Sequence, residues 1–239
     1  MVTRDEVMDA LRDAASRFVA LVESLEPDDA NTPVPGLDWD VGETIAHVLT
    51  VTRRGFADRR RSARAEETAD LNQVCLDETP QRDPRELAAL LRADLHTAIE
   101  VVYPKIPDDL VFPFHGGQLA TMTPALRVVL GELLIHGFDV ARATDRPWRI
   151  EAHEARMLVP SELLNAWLRE DTPDESYEIR LGDSAPLRFE FVDRQIRVTE
   201  GHGDTIVALE PGQFVLQFYA REPVTDDGLA RLQSRFVPG

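Results

Sequence analysis

Leu126-Arg127-Val128-Val129-Leu130-Gly131-Glu132-Leu133-Leu134-Ile135-His136-Gly137-Phe138-Asp139-Val140 is the stretch on which the reading of this chain turns. Thr123-Pro124 supplies a helix start, and the segment that follows is apolar on nearly every side. A helix of that kind is the innermost member of a bundle. It nevertheless carries Glu132, His136 and Asp139 at i, i+4 and i+7, which puts all three on one face. Burying an unpaired carboxylate costs several kcal/mol or forces its protonation, so a buried glutamate one turn from a histidine calls for a compensating positive charge. A divalent metal meets that need. So does a structural arrangement closed by hydrogen bonds or an arginine, and these residues alone leave both open.

Working outward, three more amphipathic helices precede this one. Thr3 and Glu6 have capping-box spacing ahead of Val7, Leu11, Ala14, Phe18, Val22 and Leu25. Pro27, Pro33, Pro35 and Gly36 break that helix, and Asp40 with Glu43 repeats the capping spacing before Ile45, Val48, Leu49, Thr52 and Phe56. The run from Arg59 to Glu67 reads as a solvated face and loop. Asp83-Pro84-Arg85-Glu86 then opens a third helix that ends near Tyr103-Pro104. Four helices with short or moderate connections imply a four-helix bundle over residues 1–150.

Beyond Asp145-Arg146-Pro147-Trp148 the pattern changes. A helical stretch from about Glu151 to Arg169 gives way to alternating segments at Tyr177–Leu181, Leu187–Val192 and Ile196–Val198, with Thr205–Leu209 and Phe214–Tyr219 as two further strands. Asp226-Asp227 caps a short last helix. Residues 151–239 are therefore expected to form a small α+β domain with an antiparallel sheet, making the whole an α+β two-domain protein.

Composition narrows the function. Lys and Arg number 26 against 43 Asp and Glu, a net charge of −17, with no basic block to track a phosphate backbone, so nucleic acid is not an expected partner. A single cysteine, Cys75, rules out an internal disulfide or a multi-cysteine zinc site and fits a reducing compartment. No apolar run approaches the roughly 18 residues of a membrane span, and Met1-Val2-Thr3-Arg4-Asp5-Glu6 does not resemble a signal region. The expectation is a soluble cytoplasmic protein with no membrane partner.

If a metal sits on the fourth helix, a catalytic zinc site takes three protein ligands and keeps one position open. His47 on the second helix is the third ligand of choice, beside Ile45, Val48 and Leu49 and after the small Ala46. Asp139 then serves as an acceptor behind a ligand histidine. There is no His-Glu-x-x-His, and a four-residue spacing excludes the Glu-x-x-His pairs of di-iron bundles, so one metal is implied.

Asp38-Trp39-Asp40-Val41-Gly42-Glu43-Thr44-Ile45-Ala46-His47-Val48, followed by Gly131-Glu132-Leu133-Leu134-Ile135-His136-Gly137-Phe138-Asp139-Val140-Ala141-Arg142-Ala143, resembles the actinobacterial mycothiol-dependent maleylpyruvate isomerase family. The resemblance implies a DinB-like metal-binding four-helix bundle joined to a sterol-carrier-like α+β domain, with His47, Glu132 and His136 as metal ligands. It implies zinc as the ion, mycothiol as thiol cosubstrate and a small electrophile as substrate, with isomerisation or S-transfer as the outcome. Arg221 is similar to an arginine that the family brings from its second domain to the active site, where it could hold a substrate carboxylate. Arg54, on the same face as His47, and His115, beside Gly116 and Gly117, are candidate cofactor-binding residues. Cys75 lacks a paired histidine and reads as a structural or surface thiol, and His96 as exposed. The same architecture could also serve a non-catalytic protein that binds a metal or an apolar ligand in regulation, or a purely structural bundle.

Overall fold

The computed structural model describes residues 2–237. Helix α1 (Arg4–Glu23) opens on the expected capping box, Thr3 accepting from the Glu6 amide while the Glu6 carboxylate accepts from Thr3. Helix α2 (Val41–Arg54) opens on its counterpart, Asp40 with Glu43. Helix α3 (Thr68–Asp77) was not expected from the sequence; it packs on α2 and buries Cys75 and Leu76. Helix α4 (Pro84–His96) starts where the Asp83 carboxylate accepts from the amides of Arg85 and Glu86, and continues through a π-helical turn, Thr97–Val102, to Tyr103. A two-residue hairpin, β1 (Phe112–Pro113) with β2 (Leu119–Ala120), leads into α5 (Met122–Ala143). Helices α1 and α2 each pack on both α4 and α5, which closes the four-helix bundle.

Two close approaches lock α5. Gly137 lies under the Trp148 ring, where an added Cβ would come within 2.1 Å of it, and the Trp148 indole N–H donates to the Leu134 carbonyl at 2.9 Å. Trp148 thereby fixes the helix turn that carries His136.

The segment after the bundle is shorter in helix than the sequence suggested. Helix α6 (Ala152–Met157) stops ahead of Pro160, which biases its predecessor away from helical geometry, and a 3-10 segment covers Glu162–Trp167. Strands β3 (Glu175–Leu181), β4 (Leu187–Val192), β5 (Gln195–Glu200) and β6 (Thr205–Leu209) form one sheet in the order β5-β4-β3-β6. The β3–β4 and β4–β5 pairings are antiparallel; β6 returns to pair with β3 in parallel. The expected strand at Phe214–Tyr219 is instead helix α7 (Pro211–Phe218), followed by α8 (Asp227–Gln233). Pro211 sits in the first turn, and Phe214, Val215, Leu216 and Phe218 are buried all round rather than on alternate faces. No helix among the described residues is long and apolar enough to cross a membrane.

The two parts are held by side chains. Arg127 of α5 donates to the carbonyls of Met157 and Val159, both at 2.6 Å, Arg17 of α1 pairs with the buried Glu154, and Tyr219 donates to the Leu158 carbonyl at 3.2 Å.

Candidate metal centre

Helices α2 and α5 bring His47, Glu132 and His136 together so that one ligand atom of each lies within 4.8 Å of the others. Glu132 Oε2 is 3.1 Å from His47 Nε2 and 3.2 Å from His136 Nε2. Behind it, His136 Nδ1 is 3.0 Å from Asp139 Oδ2. An ionised carboxylate can only accept, so His136 donates from Nδ1 to Asp139 and from Nε2 to Glu132, and an ion held at Nε2 would displace the second of these protons. A carboxylate and two imidazole nitrogens converging in this way form a donor set that suits a divalent ion, which would take the place of protons now shared between them. Trp39 lies against His47, ring centroids 4.7 Å apart and planes inclined by 36°.

The electrostatics agree with the geometry. Burial raises the Glu132 pKa, but hydrogen bonds from His136 and His47 outweigh it and hold the carboxylate well below its ordinary value. Burial lowers the His136 pKa, yet its bonds to Asp139 and Glu132 overcome this and push it up to about 9. His47, with no carboxylate behind it, is lowered by burial, and its Nδ1 is buried without a partner.

Asp139 is 0% exposed and serves two neighbours. Besides His136 it accepts from Arg221 Nε with both oxygens, at 2.9 and 3.0 Å. Arg221 therefore reaches this cluster from the C-terminal part, with its Nε committed to Asp139 and its Nη1 donating to the Tyr219 carbonyl.

A cavity of about 340 Å³ opens on this cluster, lined there by Glu132, His136 and Arg221 and, around the C-terminal end of α2, by Arg54, Arg61, Tyr103 and His115. Met122, Leu126, Leu163 and Trp167 are among the apolar residues that line it. Arg54 is 6% exposed, yet its side chain makes no hydrogen bond among the described residues, and Nε and Nη1 are fully enclosed. Arg61 caps the end of α2 through the Arg54 carbonyl at 2.7 Å, but its Nε is likewise enclosed and unpaired. The Tyr103 hydroxyl and the Asn72 Oδ1 share that condition. His115 is held by the loop Gly116-Gly117, whose φ angles of 67° and 69° favour glycine, and its Nδ1 accepts from the Ser62 amide at 3.2 Å. That bond makes Nε2 the protonated nitrogen of the neutral ring. Burial, then the charges of Arg54 and Arg61, lower the His115 pKa to about 4.

The structure thus brings six of the seven candidate residues to one cavity or its ligand cluster by lining it (Arg54, His115, Glu132, His136, Arg221) or by contact with a ligand atom (His47), and Asp139 stands directly behind them. Cys75 is buried in α3 and is not among the lining residues, and His96 is exposed. Arg61 and Tyr103 were missed. Arg61 sits in a run of arginines that resembles an ordinary solvated loop, and Tyr103 follows a π-helical turn that shifts the helical register away from its apolar stripe.

Comparison with known proteins agrees with this architecture. A crystal structure of the mycothiol-dependent maleylpyruvate isomerase matches with a TM-score of 0.61 at 13% identity, covering 92% of this chain and 90% of that one. A histidine-to-alanine mutant of that enzyme matches with a TM-score of 0.59 at 12% identity over the same shares. At such identities the likeness is one of fold. No curated protein gave a match. The model of the mycothiol maleylpyruvate isomerase N-terminal domain matches residues 11–141, which is 131 of 239 residues, and the chain belongs to that family.

Proposed function

We propose that the protein is a metal-dependent enzyme that activates a low-molecular-weight thiol, mycothiol, for addition to a small electrophile. The observation that carries this reading is the convergence of His47, Glu132 and His136 on one point beside a cavity lined largely by apolar residues. These three residues would hold one divalent ion, zinc being the best fit to two imidazoles and a carboxylate with a position left open. When bound, the ion supplies Lewis acidity, which lowers the pKa of a thiol presented to it.

The chain's own groups do the rest. Asp139 fixes the tautomer of His136 and, through Arg221, ties the ligand cluster to the C-terminal part. Glu132, half-buried, and His136 both line the cavity, so an ion held by them would face the substrate space. The apolar wall excludes water, so a thiolate is less solvated and more reactive there. The nucleophile comes from outside, because the one cysteine does not line the cavity. Addition of the sulfur to a conjugated cis alkene turns the double bond into a single one. Rotation and departure of the same thiolate then give the trans isomer and return the thiol. With an electrophile that cannot expel sulfur, the outcome is a stable conjugate.

We place the metal-binding unit in residues 1–150 and the far wall of the site in residues 151–239, with the protein working in a reducing cytoplasm where the thiol stays free. The test is to incubate the metal-loaded protein with mycothiol and a panel of cis-enoates, epoxides and alkyl halides, and to follow products by mass spectrometry. Isomer or thiol adduct formed only with both protein and thiol is the expected result; no thiol-dependent product from any electrophile overturns the reading.

A further inference from the structure

In a chain with a net charge of −17, Arg54 and Arg61 stand together inside the protein without an acid bonded to either one's enclosed Nε. Arg54 is the sharper case. Its guanidinium is buried and makes no hydrogen bond among the described residues, and none of the acidic groups that act on it from nearby, Glu132, the Cys75 thiol and Asp58, is bonded to it. Glu132 is bonded to the two histidines, and Asp58 to Arg60. Removing a cation from water without a counter-charge is unfavourable, so proteins pair such groups. Around this one, the nearby free groups are donors. Arg61 Nε and the Tyr103 hydroxyl are enclosed and unpaired, and His115 has its Nδ1 occupied, leaving Nε2–H as the donor of a residue that lines the cavity. Asn72 lines the same end, and a half-turn of its amide exchanges acceptor for donor.

We propose that this end of the cavity is an anion subsite, built by Arg54 and Arg61 with His115 and Tyr103, that takes the carboxylate of a substrate with an apolar body. The proposal deepens the reading given above and rests on it only in identifying the occupant as the electrophile. Arg221, turned to Asp139, is then a residue that positions the ligand cluster and not the carboxylate receptor. Arg54 lies seven residues after His47 on α2, about 10 Å along the axis, and its side chain leans back toward the helix start. The spacing from carboxylate to reactive carbon is therefore roughly 5–10 Å. Leu126, Leu163 and Trp167 would cover the body of the molecule between them.

The experiment uses the metal-loaded full-length protein and calorimetric titration with hydrocinnamate, its neutral amide hydrocinnamide, acetate and inorganic phosphate. Wild type should bind the acid at least about tenfold more tightly than the amide, as a charge-assisted pair inside a cavity provides. Arg54→Met should bring the two affinities together by weakening the acid alone, with amide binding unchanged as the control for an intact fold. Arg221→Met should keep the preference. Equal affinity of wild type for acid and amide overturns the proposal, as does an Arg54→Met protein that still prefers the acid, or loss of the preference in Arg221→Met. Phosphate or acetate binding as tightly as hydrocinnamate identifies a site for a small inorganic or simple anion and overturns the assignment to an apolar-bodied substrate. If the acid preference stands while mycothiol supports no reaction, the thiol reading fails and the anion subsite does not.

Discussion

The two ends of the cavity are framed by the same helix, α2, and are satisfied in opposite ways. At the His47 end nearly every polar atom has a partner: Glu132 bridges two imidazoles, Asp139 holds His136, and Arg221 closes the back of Asp139. At the Arg54 end, two turns later, guanidinium nitrogens and a phenol hydroxyl are enclosed with none. The first is a preorganised cluster whose members keep their geometry by holding one another. The second is organised by packing and retains its bonding capacity for something that enters. Fold stability should therefore respond with opposite sign when each end is disabled.

The largest effect is expected at the paired end. His136→Ala removes one of three ligands, and the purified variant should lose most of its metal by elemental analysis, since two remaining donors do not offset dehydration of the ion. A variant that keeps one ion per chain would break the assignment. Asp139→Asn comes next: it leaves the ligand atoms in place but weakens the orientation of His136 and unpairs Arg221, so metal affinity should fall about tenfold to a hundredfold in a chelator competition.

Arg54→Met sharpens the contrast because its predicted sign is reversed. Replacing an uncompensated buried cation with an apolar side chain of similar length should stabilise the protein by about 1 kcal/mol or more, a rise in Tm of roughly 2–4 °C in buffer free of carboxylates. A fall in Tm would mean that the guanidinium has a partner in the fold. The smallest effect concerns His115. The unfolded imidazole takes up a proton near pH 6.5 and the folded one only near about 4, so between those values the unfolded chain binds more protons. The contribution of neutral His115 is complete above the upper value and lost as pH falls toward the lower. His115→Gln should flatten that part of the stability curve measured by urea denaturation, and an unchanged slope would contradict the environment described for the ring.

The helical part was legible because its signals are local. Capping boxes at Thr3 and Asp40 and the Asp83-Pro84 start each fix a helix end within four residues, and a Glu-His pair on an all-apolar helix marks a place where charge must be compensated. His47 was singled out by the same kind of signal, a histidine on the flank of a buried stripe, and the fold brings it beside Glu132 and His136. What escaped depends on tertiary context. Phe214–Phe218 has strand-like composition, and it is helical because Pro211 starts it and neighbours cover every side. The parallel return of β6 to β3 is a matter of chain path that alternation does not encode. Arg54 could be placed on the right helix face from its spacing, but that it is buried without a partner, and that Arg61 joins it from a loop, follows only from the packing of residues distant in sequence. Arg221 was found by resemblance and Asp139 by its spacing, but the pairing of the two follows only from the fold.

On the proposed function, the His47–Glu132–His136 site makes an external thiol acidic. Its most direct test is a pH titration of thiolate absorbance for mycothiol with a stoichiometric amount of metal-loaded protein. The apparent thiol pKa should fall well below the roughly 8.5 of a free thiol with wild type and stay near that value with His136→Ala. An unshifted pKa with wild type, or an equal shift with both proteins, would show that these three residues do not activate the thiol.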